Sequence, residues 1–137
     1  MADTLKLEIV TPDTTVYSED VHMVTLPALE GQIGVFPHHV PLVTQMVPGE
    51  MIVRKDGRET YVAVGEGMIL VTGDLVSIVT DMAVAADKID EAKAEEARQR
   101  AVARLRDKIS DEEVASVNAS LARSLAQLKV KRRRSVT

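Results

Sequence analysis

The chain has 137 residues, 45% of them apolar, and a formal net charge of −4. That length fits one domain, or a small domain with an appendage, and its core must be built from Val, Ile, Leu, Met and Ala, because Phe36, Tyr17 and Tyr61 are its only Phe, Tyr or Trp residues. With no cysteine, a disulfide framework, a thiolate metal site and a cysteine nucleophile are excluded.

The N-terminal MADTLKLEIV shows neither an apolar signal region nor an Arg/Ser-rich transit segment. No apolar run reaches the roughly 20 residues of a membrane span. A soluble or peripheral protein of a reducing compartment is expected. The charge is unevenly divided. Residues 1–87 carry 13 acidic and 4 basic residues, net −9; residues 88–137 carry 8 acidic and 13 basic, net +5. The two parts face different electrostatic tasks.

In LKLEIV (5–10), Leu5, Leu7 and Ile9 alternate with Lys6 and Glu8, the period of a half-buried strand. VHMVTL (21–26), HVPLVTQMV (39–47), MIVR (51–54), TYVAV (60–64), MILV (68–71) and LVSIVT (75–80) follow as strands. Turn residues divide them: Pro48-Gly49, Lys55-Asp56-Gly57, Gly65-Glu66-Gly67 and Gly73-Asp74. Asp56-Gly57 predicts a tight hairpin. Seven to ten short strands without a helical period predict a β-sandwich or flattened barrel.

From Ile89 the period changes. Asp87 or Asp90 caps a helix start, and Ala94, Ala97, Ala101, Val102, Leu105 and Ile109 form a helical stripe. Ser110-Asp111-Glu112-Glu113 is a capping box opening a second helix, in which Ser110 bonds the Glu113 amide and Glu113 reaches back. Its seam is Val114, Val117, Leu121, Leu125 and Leu128. The short turn makes the pair an antiparallel hairpin. Alanines at 97, 101, 115, 119, 122 and 126 bury little area, at about 25 cal/mol per Å2. Two readings stay open: an element that leaves its host surface, or a permanently docked pair.

The stretch LPALEGQIGVFPHHVPLV (26–43) holds two of the three histidines and three of the five prolines. Zinc needs three or four protein ligands, and the chain offers His22, His38 and His39 plus carboxylates. Pro37 and Pro41 favour extended neighbours, so His38 and His39 are expected on opposite faces. No metal site is expected. Ser18, in a polar turn, and Ser77, in a strand, lack nucleophile-elbow glycines, and neither GxGxxG nor a P-loop occurs. Glu30-Gly31-Gln32-Ile33-Gly34 reads as a turn or bulge. No catalytic site is expected. The tail Lys129, Lys131, Arg132, Arg133 and Arg134 is either a solvated helix end or a surface for an acidic protein segment. Nucleic acid is disfavoured, because the chain has no stacking platform and the attached domain is acidic.

The run EGQIGVFPHHVPLV, then Pro48-Gly49, Gly65-Glu66-Gly67, Asp81-Met82-Ala83 and Ile89-Asp90-Glu91-Ala92-Lys93-Ala94, resembles the epsilon subunit of bacterial F-type ATP synthases over essentially the whole chain. The resemblance implies an α+β chain: a flattened antiparallel β-sandwich of about ten strands (1–87), then a helical hairpin (88–137). It implies a non-catalytic rotor subunit at the cytoplasmic face of the bacterial plasma membrane. Such a subunit binds the gamma subunit and the membrane c-ring. Its hairpin rests on the sandwich or extends towards the alpha and beta subunits and brakes ATP hydrolysis.

By the same resemblance Glu30, Gly31, Gln32, Ile33, Gly34 and His39 meet the c-ring. Gln32 stands where relatives often carry an acid, which removes an ion pair. Arg132, Arg133 and Arg134, with Arg98, Arg100, Arg104, Arg106 and Arg123, face an acidic segment of the beta subunit. Some relatives bind ATP on the folded hairpin. The matching positions are Asp90, Lys93, Arg100 and Arg123, with Lys93 in place of the motif's arginine and without its planar fork. A helix cap at Asp90 and a solvated Lys93 are the simpler expectation, with no cofactor. The rival to the rotor reading is a stand-alone β-sandwich that binds a ligand or peptide under a helical lid.

Overall fold

A computed structural model describes the backbone of residues 3–136 and the side chains of residues 3–132. Ten strands come first: β1 (Leu5–Val10), β2 (Thr15–Val21), β3 (Met23–Ala28), β4 (Gly31–Val35), β5 (Leu42–Met46), β6 (Gly49–Lys55), β7 (Arg58–Val64), β8 (Gly67–Thr72), β9 (Leu75–Thr80) and β10 (Ala83–Ala85). A 3-10 turn (Ala86–Lys88) leads into α1 (Glu91–Leu105) and α2 (Asp111–Val136).

The strands form one sheet in the order β10-β7-β6-β3-β5-β8-β9-β1-β2, with β4 also on β3. The corner is β3, which pairs β6 through Met23–Thr25 and β5 at Ala28. The core follows the period-two pattern. Leu5, Leu7, Ile9, Val24, Leu26, Met51, Val53, Ile69, Val71, Val76 and Ile78 are all 0–1% exposed.

The sandwich is not wholly antiparallel: β1 pairs β9 in parallel from Lys6–Leu75 to Val10–Val79. The segment 21–26 is two strands, not one. Val21 and Val24 are both fully buried, three residues apart, so the two-residue period must be broken between them. The break is His22, whose N–H donates to Arg54 O (2.9 Å) and whose Nδ1 accepts from the Asp56 N–H (3.1 Å). Ser18 lies in β2, not in a turn, and GQIGV is strand β4 rather than a bulge. In the other direction, the run 39–47 shortens to 42–46, because the chain turns at Pro37-His38.

Asp90 caps α1, its carboxylate accepting from the Lys93 N–H at 3.1 Å. Ser110 caps α2 through the Glu113 N–H (3.2 Å). The reciprocal half of the capping box is not formed, because Glu113 instead takes Arg104 Nη2 at 2.6 Å. The helices pack on each other, and α2 packs on β6 and β7. Ala126 and Val130 face Ala63, Ala86 and Ile89. Leu128 is buried, but Leu125 is 48% exposed and is no part of a seam. The helix must cover the sheet and α1 on opposite sides, which a single heptad stripe does not describe.

Two glycines separate a steric demand from a conformational one. A Cβ on Gly67 would lie 2.0 Å from the Val79 carbonyl oxygen, whereas Gly57 has open space but a φ of +76°. Gly67→Ala should cost roughly 2–3 kcal/mol, and Gly57→Ala about 1 kcal/mol. Urea denaturation of the two variants checks the order.

Candidate functional site

The residues expected to form one contact set, Glu30 to Gly34 and His39, are not brought together. Leu29-Glu30 is the tip of the β3–β4 hairpin, closed by the Ala28–Gly31 pair, with Gly31 at φ +128°. The tip is tied down where Leu29 N–H donates to Gln45 O at 2.9 Å. Pro27, Gly31, Gln32, Pro48, Glu50 and Lys129 line an open cavity of about 570 Å3 beside it. The five residues of β4, at roughly 3.3 Å each, then carry the chain away. His39 lies beyond the far end, its Nδ1–H donating to Val40 O (2.7 Å).

Neither is the proline-flanked segment extended, as the His38/His39 opposition assumed. Pro37-His38 is a turn with His38 at φ 66°. The His38 side chain is exposed but engaged. Its N–H donates to Asp74 Oδ1 (2.9 Å), and its ring lies 3.1 Å from Asp3 Oδ2 and 3.3 Å from Asp74 Oδ1. Elsewhere on the sandwich, burial and a bond to Glu19 push the Tyr17 hydroxyl far up. The same bond, helped by Lys55, lowers the Glu19 carboxyl.

The hairpin spends much of its positive charge on itself. Arg132 joins the end of α2 to the start of α1, through Glu91 (3.1 Å) and Glu95 (3.3 Å). Glu95 also accepts from Arg98 and from Gln99. Arg104 pairs with Asp107 (3.6 Å) and Glu113. Arg132, Arg98 and Arg104 are therefore engaged in the docked hairpin; the side chains of Arg133 and Arg134 lie outside the described residues.

Among the nucleotide candidates, Asp90 serves as the α1 cap. Arg100 borders an interhelical groove of about 330 Å3 with Arg104, Val117 and Ser120. Arg123 borders a neighbouring groove of about 350 Å3 with Asp81, Met82 and Gln127, and the two grooves share Ala97 and Ser120. Asp90 and Lys93 border neither. Arg123 is already paired with Asp81 at 3.3 Å.

Two features escaped the sequence reading. One is Asp81, a carboxylate of the sandwich that pairs with Arg123 of α2. The other is an outward apolar face. Val43 (64% exposed) lies directly opposite Leu70, and Met68 opposite Val79 (56%), across β5, β8 and β9. The signal for it was present: MILV and LVSIV are apolar at successive positions, the mark of a strand with two apolar faces.

Glu95 gives the hairpin a pH dependence. The Arg98 hydrogen bond lowers its carboxyl, with help from the charges of Arg98 and Arg132 and against partial desolvation. A lowered folded-state value stabilises above the ordinary carboxylate value, about 4.3, and that stabilisation is lost as pH falls through the folded value. Between about pH 6 and about pH 3 the native chain should lose more of its urea midpoint than Glu95→Gln does; equal losses would assign the acid sensitivity to other groups.

Two family descriptions match adjoining parts of the chain. Residues 4–86 match the beta-sandwich domain of the ATP synthase Delta/Epsilon chain, and residues 87–132 its long alpha-helix domain. The ATP synthase epsilon chain of Herpetosiphon aurantiacus is 40% identical over 126 residues, 92% of this chain and 93% of that one. That of Dehalococcoides mccartyi is 39% identical over 131 residues, 95% and 94% of the two chains. A chain in the Euglena gracilis mitochondrial ATP synthase (OSCP/F1/c-ring) shares the fold with a TM-score of 0.76 at 22% identity, covering 98% of this chain and 82% of that one. A chain in the Tetrahymena thermophila central stalk and c-ring does so at 0.67 and 10%, covering 94% and 97%. The chain belongs to the ATP synthase delta/epsilon family, as an epsilon-type member.

Proposed function

We propose that the chain is a non-catalytic rotor subunit of the central stalk, in which the sandwich joins the gamma subunit to the membrane c-ring and the hairpin governs ATP hydrolysis. One observation carries the regulatory half. The seventeen buried residues of the sandwich core include no helical residue, and α2 docks through a separate small cluster of Ala126 and Val130 on Ala63, Ala86 and Ile89. The hairpin can leave without opening the main core. Such an element has two packings a few kcal/mol apart, which a partner can bias.

The sandwich offers two distinct surfaces for the static role. The Val43/Leu70/Met68/Val79 face is apolar and uncovered by any described residue, and it suits a packed protein partner such as gamma. The Leu29-Glu30 tip with Gly31 and Gln32 is a rigid hairpin end and suits the ring. His39, at the other end of β4, is left out of that contact. Among the described residues no helix is long and apolar enough to cross a membrane. Attachment at the cytoplasmic face of the bacterial plasma membrane is accordingly assigned to these protein contacts.

When the hairpin extends, α1 and α2 part, and Arg132 loses Glu91 and Glu95. It is then available, with Arg133 and Arg134, to an acidic segment of the beta subunit. We place no nucleotide on the hairpin. Asp90 is occupied as a cap, Asp81 already occupies Arg123, and Lys93 offers no bidentate fork.

Deleting residues 88–137 should leave a folded sandwich that still joins the complex, with ATP hydrolysis raised. Replacing Arg132, Arg133 and Arg134 together with Ala should weaken inhibition, and raised salt should mimic the change. Hydrolysis assays on reconstituted complex decide both; hydrolysis that is unchanged on deletion overturns the regulatory reading. Calorimetric titration of ATP into the isolated chain should give no binding heat at millimolar ligand, and a saturable heat would restore the nucleotide site.

A further inference from the structure

We propose that Gly65, Asp81 and Arg123 form a latch that sets how often α2 leaves the sandwich. The inference rests on the switching role argued above and names the contact that controls it.

The apolar part of the docking surface is thin. Its buried members are Ala63, Ala86, Ile89, Ala126 and Val130, so a polar tie beside it has leverage. An ion pair joins α2 to the sandwich from Arg123 Nη1 to Asp81 Oδ2, at 3.3 Å. Both ends are prepared for it. The guanidinium is oriented by its second nitrogen, which donates to Ser120 Oγ at 3.0 Å. Asp81 sits on a turn braced from several sides. Its N–H donates to Glu66 O (3.2 Å), Gly65 N–H donates to Met82 O (2.9 Å), and the buried Thr80 hydroxyl donates to Glu66 O (2.8 Å).

Gly65 makes room for the carboxylate. A Cβ there would lie 1.9 Å from Asp81 Oδ1, so any larger residue must push that oxygen aside. Gln127, one helical turn beyond Arg123, adds a polar contact from its Nε2 to Met82 Sδ (3.0 Å). The pair lies near the surface, with side chains 35% and 44% exposed. It therefore tunes the docking equilibrium rather than fixing it.

The chain has no cysteine, so one introduced thiol reports cleanly. Ala63→Cys places it under α2, at a position that is fully buried when the hairpin is docked. Its rate of labelling by a soluble thiol reagent measures the undocked fraction, even when that fraction is small. In this background Asp81→Asn and Arg123→Gln should each raise the rate roughly two- to fivefold. The double variant should be no faster than the faster single one, since both remove the same pair. Gly65→Ala should match Asp81→Asn. Ala126→Cys, the same reporter on the helix side, covers the case in which Ala63→Cys disturbs the fold. Unchanged rates in the single variants, or effects that multiply in the double variant, overturn the latch. The experiment uses the isolated chain, so its failure leaves the stalk reading standing, and failure of the hydrolysis assay leaves the latch standing.

Discussion

A sheet has two faces, and folding this one on itself hides only one of them. Strand β7 shows the consequence. Val62 and Val64 point into the sandwich core, while Ala63 between them is equally buried, in the second cluster beneath α2. Over β6 and β7 the outward face is closed by a helix. Over β5, β8 and β9 it carries Val43, Met68, Leu70 and Val79 with no described residue above them. One outer face is thus covered by a helix of the same chain, and the other suits a different chain. A coupling subunit with a regulatory arm needs that asymmetry.

The covering is made deliberately shallow by residue choice. Alanines at 63, 86 and 126 bring backbones close but bury little area each. Longer side chains would dock α2 more firmly. The helix instead presents Ala126 and Val130 to the sheet, while Leu125 stays about half exposed. Stability that packing does not supply is left to ion pairs, which respond to salt, pH and competing charges.

Much of this was legible in the sequence because the strand and helix periods are clean where one face is buried. LKLEIV alternates, and the sheet uses it as written. The Asp90 cap and the Ser110 side of the second cap could be read from spacing alone. What could not be read depended on long-range partners. The β1–β9 pairing is parallel because the last long strand returns beside the first, a matter of topology rather than of local pattern. The role of His22 as a phase break appears only through Arg54 and Asp56. Glu113 abandons its capping role because Arg104 reaches it across the helix turn. At the candidate site, Glu30 to Gly34 and His39 are close in sequence, and a strand separates them. Asp81 and Arg123 lie 42 positions apart, and the docked hairpin makes them neighbours.

The charge division between the two parts acquires a physical meaning from these partners. The hairpin carries +5 and the sandwich −9, yet few described ties join the two parts directly. Most hairpin arginines with a partner find it on the hairpin: Glu95 for Arg98, Asp107 and Glu113 for Arg104, and Glu91 with Glu95 for Arg132. The docked hairpin is therefore held to itself by a network of arginine–carboxylate pairs. Separating the helices from each other breaks this network, whereas lifting the pair as a unit leaves it intact and breaks contacts such as Arg123–Asp81, Gln127–Met82 and the small apolar cluster. On the switching role proposed above, α2 leaves the sheet first, with α1 still packed on it, and the Arg132 clasp parts second. At about 1.4 kcal/mol per tenfold change in population, the first step lies within reach of a single partner contact. The second needs something that replaces Glu91 and Glu95, which an acidic partner segment would do and a neutral surface would not.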